Sequence, residues 1–164
     1  MFYTASVLLF LSWLLYFFLL HAPPVRVLVY VGWAALTAGI VLMYLATRAL
    51  RVKGRPEEGQ DFVHTTLIVD SGIYAVVRHP LYLGWLLMYV AVICLSQHWL
   101  IVVLGILGIA CMYLIARQED RYLVEKFGDS YEKYAKSVPA MNFLTGIVRL
   151  IQRARRSTRS GDDA

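Results

Sequence analysis

Cysteine is nearly absent from this chain. Its 164 residues hold two, Cys94 and Cys111, and both lie inside apolar runs. Such a pair supports neither a disulfide framework nor a metal site, and reads as two free thiols packed among hydrocarbon side chains. Acidic residues are also few, 11 Asp and Glu against 16 Lys and Arg, for a net charge of +5. The basic excess is not gathered into a soluble basic domain. It sits beside apolar runs, so membrane topology accounts for it and no nucleic-acid partner is expected. The first apolar run is not expected to be a secretory leader: it starts at Phe2 with no basic residue before it, and no small-residue cleavage site precedes Pro23-Pro24. A retained span is therefore expected.

What the chain does have is hydrocarbon, 59% hydrophobic residues with a mean hydropathy of +0.59. This share exceeds that of an average soluble domain, and it collects into long runs without charge of the kind that cross bilayers. The fold class expected is an all-α integral membrane protein with four to five transmembrane helices and a cytosolic C-terminal helical segment.

The first span is Phe2 to Leu20, ended at His21-Ala-Pro-Pro because two prolines stop a helix. The second runs from about Val25 to Leu50, with Ala35 and Gly39 spaced so that another helix can approach closely. Arg48, Arg51, Lys53 and Arg55 open a polar loop marked by Gly54, Pro56 and Gly59. Asp70-Ser71-Gly72 reads as a turn in which Gly72 is free to take positive φ. Leu81 to Leu95 and Trp99 to Ala116 form a helical hairpin about Ser96-Gln97-His98, its first arm short for a full crossing. An amphipathic helix, Arg117 to Phe127, stops at Gly128, and a Tyr- and Lys-rich segment follows from Asp129 to Ser137. Met141 to Ile151, backed by Arg149, Arg153, Arg155 and Arg156, reads as an interfacial helix, with a fifth crossing as its alternative. Ser157 to Ala164 reads as a disordered tail.

Three regions are expected: 1–64 with the N-terminal spans and polar loop, 65–140 with the functional core, and 141–164 with the interfacial helix and tail. Among the loops on one side, Arg26 is the sole cation. The positive-inside rule then places both termini, the Gly72–Gly84 stretch and the Arg117–Tyr134 segment together at the cytosol.

Chemistry-bearing side chains crowd into Gly72-Ile-Tyr-Ala-Val-Val-Arg-His-Pro-Leu-Tyr-Leu-Gly84. Pro80 suits the first position of a helix, where its missing N–H costs nothing. The amides of Leu81, Tyr82 and Leu83 would then face outward at the positive end of the helix dipole, a place that takes a carboxylate, with Arg78 and His79 as further donors. Taken alone, the same residues also fit a snorkelling arginine anchor and an ordinary helix start. Glu119-Asp120 likewise fits either a solvated charge pair, neutralised by Arg117 and Arg121, or a carboxylate that accepts from ribose hydroxyls or an ammonium.

Together, Ser71-Gly-Ile-Tyr74, Arg78-His79-Pro80-Leu-Tyr82-Leu-Gly84, Glu119-Asp120, Phe127-Gly128, Tyr131, Tyr134 and Val138-Pro139 resemble the isoprenylcysteine carboxyl methyltransferases. More widely they resemble the membrane methyltransferases that include phospholipid N-methyltransferases. The similarity covers about Thr65 to Pro139. It implies S-adenosylmethionine as cofactor, leaving as S-adenosylhomocysteine, in a cytosol-facing pocket lined by Thr66, Leu67, Ile68, Val69, Tyr74, His79, Pro80, Leu81, Tyr82 and Glu119. Arg117 is the nearest match to the family's substrate-orienting arginine. Asp70 stands where that family often has threonine, and the acidic pair is Glu-Asp instead of Glu-Glu.

The resemblance further implies carboxyl O-methylation of an isoprenylcysteine-like, lipid-anchored substrate that enters from the bilayer, in a multi-pass protein of the cell membrane that uses no metal. Two alternatives stand beside it: amine methylation of a phospholipid, and a non-catalytic membrane scaffold.

Overall fold

The structure, a computed structural model, describes residues 2–18, 25–55 and 65–162, with side chains up to residue 153. The His21-Ala-Pro-Pro break and the Pro56-to-His64 part of the polar loop lie outside the described residues.

Among the described residues six α-helices follow in order: α1 Phe2–Phe18, α2 Arg26–Lys53, α3 Pro80–Ser96, α4 Trp99–Phe127, α5 Asp129–Ser137 and α6 Phe143–Asp162. A 3₁₀ turn, Gly72–Ala75, precedes α3, and no extended strand forms among the described residues. Among the described residues two helices, α2 and α4, are long and apolar enough to cross a membrane. At 28 and 29 residues they reach about 42 Å, beyond the ~30 Å hydrocarbon core. The 17-residue α1 and α3 reach about 25 Å. Only 11% of the most apolar window of α2 and 33% of that of α4 are buried. A core helix of a soluble protein would be mostly buried, so these surfaces call for an apolar surround.

The chain divides into two compact units, Met1–Tyr44 with Leu81–Arg121, and Leu45–Pro80 with Tyr122–Ala164. The first has a core of Ala5, Leu9, Tyr89, Val92, Ile101, Met112 and Ile115. Tyr89 is fully buried, and its hydroxyl donates to the Ala5 carbonyl, which keeps a polar atom satisfied among hydrocarbon. Small residues set the helix spacing. A Cβ at Gly84 would stand 2.5 Å from Met43 Cγ and 3.0 Å from the Gly39 carbonyl, so α2 and α3 meet backbone to backbone where close approach was expected. The hairpin turn takes Gln97 to φ 53°, and its side-chain amide explains the stop: Oε1 accepts from the Val25 N–H at 2.8 Å while Nε2 donates to the Cys94 carbonyl at 3.0 Å.

In the second unit, α2 ends at Gly54, where a Cβ would meet Thr65 Cγ2 at 2.4 Å. Gly72 takes φ 66° as the turn reading requires. Gly128, at φ 57°, separates α4 from α5.

Two expectations are corrected. The fourth apolar run and the amphipathic segment are one helix, α4, since neither Gly nor Pro interrupts the good helix formers around Arg117. The stretch read as a disordered tail continues α6 as far as Asp162. That helix is nucleated by Asn142, whose Oδ1 accepts from the Thr145 N–H at 3.0 Å, and no proline halts it.

Candidate functional site

In the first unit the α3–α4 hairpin carries Leu81 and Tyr82 on one arm and Arg117 and Glu119 on the other. Its register follows from two contacts. A Cβ at Gly108 would fall 2.1 Å from the Tyr89 ring, and one at Gly105 would fall 2.5 Å from Ile93 Cδ1. About two turns back from Tyr89 is Tyr82, and about two turns on from Gly108 is Ile115. The start of α3 therefore lies level with Ile115 and Ala116, and Glu119 follows one turn further at the same end of the hairpin.

That end has two faces. Met112, Ile115 and Ala116 are buried, and Glu119 continues their row at helical spacing, half-buried with Oε2 shielded from solvent. Asp120 is also half-buried. Arg117 lies off this row and is exposed, as are Gln118 and Arg121. The structure thus sets Glu119 inward and Arg117 outward. α3 begins at Pro80, so the amides of Leu81 and Tyr82 have no acceptor one turn back in their own helix. Leu81 and Tyr82 are half-buried, and Tyr82 packs beside the core of the unit.

In the second unit the residues before α3 are held by backbone. The N–H groups of Arg78 and His79 donate to the carbonyls of Pro139 and Ala140, each at 3.0 Å. Two consecutive bonds fix both the direction and the register of this strip. Tyr134 donates its hydroxyl to the Tyr74 carbonyl at 2.7 Å, and Arg153 Nη2 donates to the Ala75 carbonyl at 2.8 Å. Gly146 lets α6 settle on the Val76 carbonyl, which a Cβ would approach to 2.0 Å. Val77 and Val138 are fully buried, and His79 is 4% exposed. The Arg78 Nε is shielded from solvent.

Thr66 to Val69 run along the end of α2. The Thr66 N–H donates to the Gly54 carbonyl at 3.0 Å, and its hydroxyl donates to the Arg55 carbonyl at 2.8 Å. Val69 is buried, Ile68 half-buried, and Thr66 and Leu67 are exposed. Tyr74 and Pro80 are buried.

Of the residues singled out in the sequence, Leu81, Tyr82, Arg117 and Glu119 thus share one end of the first unit, and Thr66 to Val69, Tyr74, His79 and Pro80 share the second. Tyr134 and Pro139 had no role beyond resemblance, and the structure gives them one: the Tyr134 hydroxyl and the Pro139 carbonyl hold the Tyr74–His79 strip. The contributions of Ala140 and Gly146 left no sequence signal, because a carbonyl acceptor and a missing Cβ carry none, and Arg153 was read only as part of the basic end of the interfacial helix. No group of three His, Cys, Asp or Glu side chains comes together among the described residues.

Comparison with known proteins agrees with the motifs. Two curated relatives match part of the chain, each named Protein-S-isoprenylcysteine O-methyltransferase. The one from Schizosaccharomyces pombe is 36% identical over 101 residues, covering 56% of this chain and 42% of the relative. The one from Dictyostelium discoideum is 32% identical over 89 residues, covering 49% of this chain and 38% of the relative. The matched segments are therefore about two fifths of the relatives' length. No solved structure matches the chain. A family model described as phospholipid methyltransferase matches residues 27–130, which is more than half of the chain. Because that match runs from α2 into α5 and takes in both the Arg78–Gly84 stretch and the Glu119-Asp120 pair, the chain belongs to the phospholipid methyltransferase family.

Proposed function

We propose that the chain is an S-adenosylmethionine-dependent membrane methyltransferase acting on the carboxylate of an isoprenylcysteine-like, lipid-anchored acceptor. The observation that carries this reading is the α3–α4 register, which brings a helix start and an inward glutamate to one end of the hairpin. The acceptor class rests on the names of the two relatives.

These residues fit the cofactor. The amides of Leu81 and Tyr82, at the positive end of α3, suit its carboxylate, and Glu119 suits its ribose hydroxyls or ammonium. When bound, the cofactor supplies an electrophilic methyl group on a sulfonium. The protein's task is then to align the acceptor with that methyl and to exclude water, and alignment alone removes up to about 7–11 kcal/mol of a barrier. A carboxylate acceptor is already ionised near neutral pH, so no general base is required. Arg117, exposed at the same end of α4, is assigned to the acceptor's carboxylate. His79 and Pro80 directly precede the helix start, and Thr66, Leu67, Ile68, Val69 and Tyr74 are assigned to the cofactor by resemblance. The functional core remains residues 65–140.

In this reading α1 to α4 all cross the membrane, α1 and α3 by tilting or by local thinning of the bilayer. The basic ends of α2 and α4 face the cytosol with both termini, and α6 lies in the interface.

A second reading, methylation of a phospholipid amine, is favoured by the description of the family model. It requires a base, because an ammonium must lose its proton before it attacks. Supplying labelled donor with a prenylcysteine analogue or with phosphatidylethanolamine separates the two. Label is expected in the prenylcysteine ester, and label confined to the amine lipid overturns the first reading. Calorimetry with S-adenosylhomocysteine tests the pocket. Glu119→Gln removes a charge-assisted hydrogen bond of about 1.5–3 kcal/mol, or roughly 10- to 100-fold in affinity. His79→Ala is expected to weaken binding as well, whereas Arg117→Gln should raise the acceptor KM and spare cofactor affinity. Unchanged affinity in both the Glu119 and His79 variants displaces the pocket, and no binding by the wild-type chain leaves the scaffold.

A further inference from the structure

Within the second unit, the last turns of α2 and the 3₁₀ turn enclose a groove of about 520 Å³, within the ~300–1,000 Å³ span of ligand pockets. Its walls are of two kinds. Leu45, Ala49 and Val52 form one stripe of α2 at helical spacing and face Ile73 and Val76, which makes an aliphatic trough. Arg48, Lys53, Ser71 and Gly72 complete the lining, which holds no carboxylate among the described residues. Lys53 is set in place by its Nζ, which donates to the Ser71 Oγ at 2.8 Å.

The location narrows the occupant. The groove begins on the last turns of a helix able to cross a membrane, at the level where lipid headgroups meet the hydrocarbon. It is open along the aliphatic stripe: Val52 is 70% exposed and Leu45 41%. The C-terminal end of α2 carries about half a negative charge from its dipole. Among the described residues, Arg48 and Lys53 in the lining offset this, so the groove suits an anion. Gly72 leaves the mouth clear, since a Cβ there would meet nothing within 4 Å.

We propose that this groove binds one anionic phospholipid, with an acyl chain in the aliphatic trough and the phosphate held by Arg48 and Lys53. A zwitterionic headgroup brings its phosphate with a compensating ammonium and so offsets the two cations less than a headgroup of net negative charge, and a soluble anion would leave the trough unfilled. The assignment does not depend on methyl transfer.

Native mass spectrometry of the full chain, released from nanodiscs of phosphatidylcholine with phosphatidylglycerol, tests it. One phosphatidylglycerol is expected to stay bound in preference to phosphatidylcholine. Arg48→Gln and Lys53→Gln should each weaken retention about fivefold, the equivalent of the roughly 1 kcal/mol that a basic residue contributes near an anionic membrane surface. Arg26→Gln, at the opposite end of α2, should leave it unchanged. A second measurement is the rise in Tm on adding phosphatidylglycerol to detergent-solubilised protein, which should shrink in the same two variants and stay full in Lys53→Arg. Equal retention of the two lipids, or variants that hold phosphatidylglycerol as well as the wild type, would overturn the proposal. Displacement of the bound lipid by a prenylcysteine carboxylate would give the groove to a methyl acceptor and overturn it too.

Discussion

Placing a single methyl group at Gly108 should disturb the α3–α4 hairpin more than most core substitutions in this chain. A Cβ there would stand 2.1 Å from Cζ, 2.2 Å from Cε1 and 2.4 Å from the hydroxyl oxygen of Tyr89. Tyr89 is fully buried, and its hydroxyl donates to the Ala5 carbonyl. The ring cannot retreat without giving up that bond. Overpacking costs about 1–3 kcal/mol and the lost hydrogen bond about 1 kcal/mol, so Gly108→Ala should destabilise by roughly 2–4 kcal/mol. For a chain of this length each kcal/mol lowers Tm by about 2–4 °C, which gives a fall of roughly 5–15 °C in detergent, read by circular dichroism. Tyr89→Leu empties the space that the new methyl needs. The double variant should therefore be more stable than the sum of the single changes implies, with a coupling of at least about 1 kcal/mol. Because the same contact sets the level of Tyr82 against Glu119, affinity for S-adenosylhomocysteine should fall in Gly108→Ala and return in part in the double variant. A Tm within about 1 °C of the wild type, or strict additivity of the two substitutions, would refute the hairpin register.

The clamp on the Tyr74–His79 strip can be tested from two sides. Tyr134→Phe keeps the ring and removes the donor to the Tyr74 carbonyl, so a loss of about 1 kcal/mol and a Tm lower by about 2–4 °C are expected. No shift would mean that this bond contributes nothing. Gly146→Ala drives a Cβ against the Val76 carbonyl, a backbone atom that cannot rotate away. Amide exchange at Arg78 and His79 should speed up by roughly tenfold as their pairing with Pro139 and Ala140 loosens, and unchanged exchange would show that α6 does not brace the strip.

Much of the fold was legible because the signals were local. Pro80 could begin a helix but not sit inside one, and α3 begins there. Gly72 and Gly128 could take positive φ at no steric cost, and both do. The unbroken helix through Ala116 and Arg117 was harder to see, because a change from apolar to charged residues alters what surrounds a helix without ending it. The same feature decides between Arg117 and Glu119. Once the helix is continuous, its 3.6-residue period carries the buried row of Met112, Ile115 and Ala116 on to Glu119 and turns Arg117 away.

What the sequence determined by itself was most of the helix starts and stops, their apolar surfaces and the candidate residues on which the proposed cofactor site rests. Those properties belong to single segments: a charge-free run, a proline at a helix start, a carboxylate beside a span. Only the tertiary structure decided which backbone atoms meet. Arg78 and His79 pair with Pro139 and Ala140, Gly108 admits the Tyr89 ring, and Gly146 admits the Val76 carbonyl. Each joins positions far apart in the chain through a peptide group or the absence of a side chain. Peptide groups are the same at every residue, so no pattern of side chains could announce those pairings.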